Sequence, residues 1–284
     1  MRSLLFVPAD SSRKLARAPD SGADVLLVDL EDSVAAAAKA SARAGALAFL
    51  RGRAGGPMVY VRINALGSGL ADADLAAVMA GKPDGIMLPK SAGGKDVQHL
   101  SAKLAVHEAE NGIEAGFTRI LAIATETAAS VFQFGTYAGA SRRLAGLTWG
   151  AEDLSADIGA ETSRDEAGAL TGPYALARTL TLLGAASAGV AAVDTVFVDF
   201  RDEARLRREC EAARRDGFCG KMAVHPGQVA VINAAFTPSA EALARARAVV
   251  AAFAAAPGAG VVALDGVMLD LPHLRRAERV LGRG

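Results

Sequence analysis

The sequence predicts an α/β fold of the (β/α)8 (TIM) barrel type. Short apolar runs rich in Val, Leu and Ile recur along the chain, separated by alanine-rich stretches with charged residues at helical spacing. The runs are continuous rather than alternating, which is typical of strands buried on both faces of a parallel sheet. No GxGxxG motif follows the first run, which disfavours an open dinucleotide-binding sheet. Eight such strands in 284 residues indicate a closed barrel.

The predicted strands follow the apolar runs in chain order. They are Leu4–Val7, Val25–Leu30, Met58–Ile63, Gly85–Leu88, Arg119–Thr125, Leu144–Gly150, Thr195–Val198 and Gly220–Val224. A helical stretch follows most of them. Between Asp157 and Val193, a polar loop (ETSRDEAG) precedes a helix over about Gly172–Ala186, so an extended loop over the barrel mouth is expected.

The barrel domain is predicted over residues 1–236 and a C-terminal segment over residues 237–284. The segment opens with Thr237 and Pro238, a favourable start for a helix over Ser239–Ala256. The sequence PGAG then ends this helix. A short hairpin and another helix are expected after it, outside the barrel.

Composition excludes several classes of function. With 31 basic and 31 acidic residues, the chain shows no electrostatic footprint for nucleic acid or an anionic membrane. Cys210 and Cys219 fit neither a zinc spacing nor a CxxC motif, so reduced thiols in a cytoplasmic protein are expected, with a disulfide as the alternative. The first apolar run, closed by Pro8, is too short for a signal peptide or a membrane span.

Two carboxylates are candidate metal ligands. Glu152 and Asp153 follow the apolar run that ends at Gly150, and Glu126 closes an earlier run. The carboxyl ends of barrel strands converge on one face, so Glu126 and Asp153 can meet at one hard cation.

The other predicted strands also end in polar groups. These are Asp10, Asp29, Glu31, Asp32, Arg62, Asn64, Lys90, Asp199, Arg201 and His225. Strands commonly stop where polar residues begin, but Arg62 and Glu126 lie within or against apolar runs, where an unpaired charge is costly. His225 precedes Pro226 and is expected to stabilise its loop rather than to ligate metal.

Eight segments together resemble one known family. They are RSLLFVPAD, DVLLVDLEDSV, VYVRIN, GIMLPK, TETA, WGAEDLSADIG, GKMAVHPGQV and DGVMLDLP. In this order they resemble the citrate lyase β-subunit (CitE-like) family of the HpcH/HpaI aldolase superfamily. The resemblance implies a barrel, usually a homotrimer, that binds Mg²⁺. It also implies cleavage or formation of a carbon–carbon bond in a 3-hydroxyacyl thioester, such as citryl-, malyl- or citramalyl-CoA, with oxaloacetate, glyoxylate or pyruvate as the keto acid.

The resemblance also implies roles for individual residues. Glu126 and Asp153 match the two metal-binding carboxylates, and Arg62 matches the arginine that binds the keto acid. Asp270 resembles an acid supplied by a neighbouring subunit, a candidate general acid or base for the acetyl methyl carbon. The C-terminal segment is therefore expected at the subunit interface.

Supporting roles are expected for the groups around these residues. Backbone amides of Gly150, Ala151 and Glu152, together with Arg62, are expected to hold the charge that develops on the thioester. A second group is expected either to orient metal-bound waters or to form salt bridges at the rim. Its members are Asp29, Glu31, Asp32 and Lys90. Lys14 and Arg13 either meet the phosphates of coenzyme A or belong to a solvated helix face.

Three rival interpretations stay open from the sequence. A Schiff base through Lys90 is disfavoured, because a lysine beside several carboxylates keeps a high pKa. A class II aldolase acting on free pyruvate-type acids is disfavoured by the segment DGVMLDLP, which resembles the thioester branch. The chain could also be a partner-dependent subunit that takes its thioester from an acyl carrier protein.

Overall fold

The computed structural model describes residues 1–282. Within them, eight parallel strands form a closed barrel in chain order, so the predicted (β/α)8 architecture is confirmed. The strands are β1 (Ser3–Pro8), β2 (Val25–Asp29), β3 (Met58–Arg62), β4 (Gly85–Leu88), β5 (Arg119–Ile123), β6 (Leu144–Thr148), β7 (Ala191–Asp194) and β8 (Gly220–Ala223). Parallel pairing of β1 with β8, which sets Leu4 opposite Met222, closes the ring.

Helices follow the strands around the outside of the ring. They are α1 (Ser12–Arg17), α2 (Lys39–Gly52), α3 (Ala71–Val78), α4 (Gly94–Glu110), α5 (Ala128–Val131), α6 (Ala151–Ile158), α7 (Gly172–Ala188), α8 (Glu203–Asp216) and α9 (Val229–Phe236). Among residues 1–282, no helix has the length and apolar character needed to cross a membrane.

The strands are buried on both faces, which explains their continuous apolar sequences. In β2, Val25 and Leu27 point into the barrel, while Leu26 and Val28 are buried without belonging to this interior cluster. Met87 and Leu121 belong to the same cluster of nine buried residues, and each such burial contributes about 1.5–3 kcal/mol. The other members are Leu4, Val25, Leu27, Tyr60, Ile123, Val193 and Met222.

The prediction for the seventh strand is wrong. β7 covers Ala191–Asp194, and the more strand-like run TVFV forms the loop after it. Val198 in that run is 63% exposed, so the run is not buried on two faces as a barrel strand must be. Asp199 and Arg201 therefore do not lie at a strand end, and Asp194 takes that place.

The sixth strand also ends earlier than predicted. β6 stops at Thr148 and α6 begins at Ala151. Glu152 and Asp153 consequently lie in the first turn of a helix rather than at the tip of a strand. The positive end of the helix dipole favours negative charge at this position.

The chain divides into two compact units, Met1–Asn233 and Ala234–Gly284. The second unit contains α10 (Ala240–Ala254), an antiparallel hairpin of β9 (Val261–Leu264) and β10 (Val267–Asp270), and α11 (Leu271–Leu281). Its own core is formed by Ala246, Val249, Phe253, Leu269 and Ala277. The predicted hairpin and final helix are thus present. Residues 283 and 284 of the predicted segment lie outside the described residues.

Candidate active site

A cavity of about 1040 Å³ opens at the carboxyl ends of the barrel strands. Its walls include the predicted site residues Arg62, Glu126 and Asp153, together with Lys14 and Asp29. Strand ends and the loops after them build this face in barrels of this type, so one cavity collects residues that are distant in sequence.

Glu126 and Asp153 reach the cavity from two different elements. Glu126 follows β5 and is 4% exposed, whereas Asp153 is half-buried in the first turn of α6. Burial raises the pKa of Glu126 to about 8; the amide of Lys90 counteracts this shift, and the negative charge of Asp153 adds to it. The cavity therefore holds carboxylates whose mutual repulsion a cation would relieve.

Lys90 connects this carboxylate pair to the acidic residues after β2. Its backbone amide donates to Oε2 of Glu126, and its Nζ donates to Oε1 of Glu31 at 2.7 Å. The same Nζ lies 3.1 Å from Oδ1 of Asp153. Burial opposes the charge on Lys90, but the bond to Glu31 and the neighbouring carboxylates outweigh it and raise its pKa.

The backbone of Lys90 is itself unusual. Its φ is 50°, in the left-handed region that a residue with a side chain occupies at a cost of about 1–3 kcal/mol. In this conformation the residue places its amide on Glu126 and its ammonium group on Asp153. The strain is therefore coupled to the geometry of both candidate metal ligands.

Arg62, at the end of β3, is held by several acidic side chains. Its Nε and Nη2 each donate to Asp29 at 2.7 Å, and Nη1 lies 3.0 Å from Oε2 of Glu31. Asp32 adds a longer contact of 3.3 Å. Burial disfavours the charge on Arg62, but these carboxylates raise its pKa. The guanidinium is fixed and charged, and it lines the cavity.

The described residues fit a Mg²⁺ site with few protein ligands. Within residues 1–282, no cluster of three or more His, Cys, Asp or Glu side chains is arranged to hold a metal. Mg²⁺, however, is usually bound by one or two carboxylates and keeps several waters, which matches Glu126 and Asp153. Oε2 of Glu31 is buried and lies 3.0 Å from Nη1 of Arg62 but forms no hydrogen bond, so it can accept one from such a water.

The small residue Gly150 makes room for Glu126. A Cβ at position 150 would lie 3.0 Å from Cγ of Glu126. The Gly150 amide already donates to Oγ1 of Thr125 at 3.0 Å. Of the three backbone amides predicted to hold the thioester, those of Ala151 and Glu152 stand in the first helical turn, where an intrahelical partner is missing.

Asp270 lies in the second unit, at the start of α11. Oδ1 of Asp270 is 2.5 Å from Nδ1 of His273, and this hydrogen bond lowers the pKa of the carboxyl group. The Asp270 carboxylate also accepts from the backbone amide of His273, which caps the start of α11. The predicted role of Asp270 as a general acid or base stays a prediction.

Two polar groups near the site, one half-buried and one buried, were missed from the sequence. Lys39 donates to the carbonyls of Leu30 and Glu31 and to Asn64, and so shapes the acidic loop after β2. Asp194 ends β7 and is buried against Trp149. The sequence did contain a signal for Asp194. The segment AAVD of β7 ends in Val-Asp, as does the segment LLVD of β2, which ends at Asp29.

Comparison with known proteins gives consistent matches over the chain. The model of the family described as HpcH/HpaI aldolase/citrate lyase matches residues 2–226. The citrate lyase subunit beta of Escherichia coli K12 is 36% identical, over 99% of this chain and 92% of that protein. The mitochondrial citramalyl-CoA lyase of Rattus norvegicus is 32% identical, over 99% and 85%.

A solved structure extends the similarity to the fold of the complete chain. It is protein CitE of Mycobacterium tuberculosis, in complex with magnesium, acetoacetate and coenzyme A. The two chains are 34% identical with a TM-score of 0.78, over 99% of this chain and 97% of CitE. The predicted family is thereby confirmed: the chain belongs to the HpcH/HpaI aldolase/citrate lyase family.

Proposed function

We propose that the chain is a Mg²⁺-dependent carbon–carbon lyase that cleaves, or in reverse forms, a 3-hydroxyacyl thioester. The products are an acetyl-type thioester and a 2-keto acid. The observation that carries this proposal is the convergence of Glu126, Asp153 and the clamped Arg62 on one cavity, in a chain of this family. Relatives named citramalyl-CoA lyase and citrate lyase subunit beta support the same reaction class.

Glu126 and Asp153 are the residues that would hold Mg²⁺. When bound, the metal supplies a Lewis acid and a template for the oxygens of the keto-acid half. Lys90 holds both carboxylates in place through its amide and its ammonium group. The CitE structure that contains magnesium and acetoacetate supports this assignment of the cofactor.

Arg62 is proposed to bind the carboxylate of the keto-acid half. Asp29 accepts from Nε and Nη2 and Nη1 faces Glu31 and Asp32, which leaves one hydrogen of Nη2 for an anion in the cavity. Because Asp29 and Glu31 fix the guanidinium before substrate arrives, little reorganisation is needed on binding. An analogue of the keto acid that lacks the carboxylate is expected to bind poorly.

The reaction is a retro-Claisen-type cleavage. The C3 hydroxyl gives its proton to solvent water, the C2–C3 bond breaks with its electron pair moving onto C2 and the thioester oxygen, and C3 becomes the carbonyl carbon of the keto acid. The amides of Ala151 and Glu152 are proposed to donate to that oxygen. C2 then takes up a proton, and Asp270 of a neighbouring subunit, after protonation from solvent, is the proposed donor, which makes oligomerisation part of catalysis.

The second unit is proposed to supply the subunit contact of a homotrimer. Its hairpin exposes the apolar side chains of Val261, Val267 and Met268, and Leu271 follows them. Apolar surface of this kind commonly marks an interface. The cytoplasmic location predicted from the sequence stays part of the proposal.

The test is an assay of the purified chain against citryl-, malyl- and citramalyl-CoA, with and without Mg²⁺. We expect metal-dependent release of acetyl-CoA and one keto acid from one of the three. Absence of cleavage for all of them, at any Mg²⁺ concentration, would contradict the proposal for CoA thioesters. Cleavage of a free hydroxy acid instead would favour the class II aldolase.

A further inference from the structure

The acidic loop after β2, residues 29–32, contacts both cations of the candidate site. Asp29 accepts hydrogen bonds from Nε and Nη2 of Arg62. Glu31 lies between the two cations, since its Oε2 is 3.0 Å from Nη1 of Arg62 and its Oε1 accepts from Nζ of Lys90 at 2.7 Å. Only 6% of Glu31 is exposed. A shift of the Glu31 backbone would therefore move the carboxylate that joins Arg62 to Lys90, and Lys90 contacts both candidate metal ligands.

The backbone of this loop is held by Lys39, the first residue of α2. Nζ of Lys39 donates to the carbonyl oxygens of Leu30 and Glu31 at 2.7 and 2.8 Å. It also donates to Oδ1 of Asn64 at 2.8 Å. An ammonium group has three hydrogens, so each of them has a partner here, and all three partners are neutral oxygens. Lys39 is half-buried and does not line the cavity, so a contribution to ligand binding must act through the loop.

Asn64 connects Lys39 to a buried carboxylate of α3. Nδ2 of Asn64 donates to Oδ2 of Asp74 at 2.7 Å, and the Asn64 amide donates to the same oxygen at 2.8 Å. Asp74 is fully buried and also accepts from Nε of Arg43, in α2, at 2.7 Å. These bonds orient the side chain of Asn64 so that its Oδ1 faces Lys39. Lys39 therefore ties the acidic loop to groups that two helices hold in place.

The acidic loop has other hydrogen bonds, so it can form without the ammonium group. The Leu30 carbonyl also accepts from Nδ2 of Asn64 at 3.1 Å, and the Glu31 carbonyl accepts from the Val34 amide at 3.0 Å. Neither of these bonds reaches α2. Removal of the Lys39 amine is therefore expected to loosen the position of the loop and to leave the barrel folded.

We propose that Lys39 is a positioning residue of the active site, which acts by holding the Glu31 carboxylate between Arg62 and Lys90. The inference rests on the proposed function, because that function assigns Arg62 to the carboxylate of the keto acid and Lys90 to the candidate metal ligands. It deepens that function by adding a residue outside the cavity. A displacement of about 1 Å caused far from the chemistry can lower a rate about 100-fold, so such a residue matters without touching the substrate.

A role in stability alone makes a different prediction. Loss of the Lys39 hydrogen bonds would then lower the free energy of unfolding, and ligand affinity well below the melting temperature would equal that of the wild type. The choice of acceptors favours the positioning role, since two of the three are the carbonyls of Glu31 and of the residue before it. Ligand affinity, and not stability, therefore separates the two roles.

The experiment measures binding of pyruvate to the full chain by calorimetry, with saturating Mg²⁺. Lys39→Met keeps the length of the side chain and removes its donors, and Glu31→Gln keeps the shape and removes the charge. We expect affinity about tenfold lower in each, as is common when groups behind metal ligands are changed. The double variant should bind no more weakly than Glu31→Gln alone, because Lys39 acts through the Glu31 carboxylate.

Lys103→Met is the matched control. Nζ of Lys103, in α4, donates to Oδ1 of Asp72 at 2.7 Å, and Lys103 does not line the cavity. The substitution removes the same side chain and the same charge from another helix. Its affinity for pyruvate should therefore equal that of the wild type.

A second measurement requires no keto acid. The Nε–H group of Arg62 donates to Asp29 at 2.7 Å, and its ¹⁵N NMR signal is identified by its loss in Arg62→Lys. Exchange of this hydrogen with solvent reports local opening of the site. We expect faster exchange in Lys39→Met than in the wild type and in Lys103→Met.

Wild-type affinity for pyruvate in Lys39→Met would overturn the inference. So would losses of affinity that add in the double variant, because Lys39 would then act independently of Glu31. Unchanged exchange of the Arg62 Nε–H group in Lys39→Met would overturn it as well. Absence of pyruvate binding in the wild type, together with faster exchange in Lys39→Met, would instead count against the proposed function and support the positioning role.

Discussion

The indole Nε1 of Trp149 donates a 2.7 Å hydrogen bond to Oδ1 of Asp194, and both side chains are buried. Asp194 also accepts from the Thr195 amide at 3.0 Å and lies 3.3 Å from Nζ of the buried Lys221. Burial disfavours its charge, but Lys221 and Arg178 lower its pKa. Trp149 directly precedes the Gly150–Asp153 turn, so this bond anchors that turn to β7.

Trp149→Phe removes the indole donor and keeps an aromatic ring in its place. We expect the free energy of unfolding to fall by about 1.5–3 kcal/mol, the usual contribution of a hydrogen bond to a charged group. We also expect weaker Mg²⁺ binding, because the turn that carries Asp153 loses an anchor. Urea denaturation and calorimetry measure the two effects. An unchanged free energy of unfolding together with an unchanged Mg²⁺ affinity would show that this hydrogen bond does not position the turn.

Glu126→Gln and Asp153→Asn test the metal assignment separately from the fold. Each should lower Mg²⁺ affinity by more than the roughly 10–100-fold seen when groups behind metal ligands are changed. The melting temperature should hold at pH 7 for Glu126→Gln, because burial raises the pKa of Glu126 to about 8 and the carboxyl carries little charge there. Glu114→Gln, which changes the same charge on an exposed residue before β5, is the control. Normal Mg²⁺ binding by both variants would rule out these ligands.

Gly150→Ala tests the close approach to Glu126. The new Cβ would lie 3.0 Å from Cγ and 3.3 Å from Oε1 of Glu126, so the carboxylate must shift. We expect Mg²⁺ affinity to fall about tenfold. Gly52→Ala, at the end of α2 with nothing within 4 Å of its added Cβ, provides a matched control that should bind Mg²⁺ normally. Equal affinities in the two variants would contradict the expected displacement.

Lys90 is expected not to form a Schiff base. Its Nζ donates to Glu31 and contacts Asp153, and its raised pKa keeps the amine protonated near neutral pH. A protonated amine has no lone pair with which to attack a carbonyl. Borohydride added with pyruvate or oxaloacetate should therefore leave the mass of the protein unchanged. An adduct mapped to Lys90 by mass spectrometry would revive the covalent route.

The buried pair of Glu108 and Arg143 predicts a pH dependence of stability. Both Nη atoms of Arg143 donate to the Glu108 carboxylate. Burial opposes the charge of Glu108, but Arg143 and the amides of Gly116 and Thr118 outweigh it and lower the pKa. The stabilisation is therefore complete above the unfolded-state pKa of about 4.3, and it is lost as pH falls through the lower folded-state value.

Glu108→Gln isolates this contribution. At pH 7 the variant should lose about 3–5 kcal/mol of the free energy of unfolding, because Arg143 stays buried without its carboxylate. The difference from the wild type should begin to shrink as pH falls below about 4.3, and it should be smallest below the lower folded-state pKa, where the wild-type carboxyl is protonated in both states. Urea titrations at several pH values measure it, and a gap that stays constant on acidification would refute the linkage.

The sequence was sufficient for the barrel because strand burial on two faces leaves a continuous apolar signature, as in Val25–Asp29. It failed at β7, where the small residues of Ala191–Asp194 form the strand and the larger apolar residues after it stay exposed. Tertiary contacts determine which of the two segments forms the strand, and the periodicity of the sequence contains no information about those contacts. Strand ends did predict that Arg62, Glu126 and Lys90 would meet, since topology alone brings them to one face.

Roles that depend on particular contacts could not be predicted in this way. Lys39 is one more charged residue at a helix start in the sequence, yet it ties together two carbonyls of the acidic loop and Asn64. The left-handed φ of Lys90 could not be predicted either, because the position is not occupied by glycine or asparagine, the residues that commonly adopt it. Such features follow from side-chain packing across elements, which a single sequence does not encode as a local pattern.

Closure of the barrel by β1 and β8 also constrains how the chain can fold during synthesis. One neighbour of β1, the strand β2, is synthesised soon after it. The other neighbour, β8, is synthesised only near the end of the barrel. Until then Leu4 and Leu5 lie on an open sheet edge that could pair with another chain. The slow step of folding is therefore expected to be the meeting of these two strands, since their contact has the greatest sequence separation in the ring.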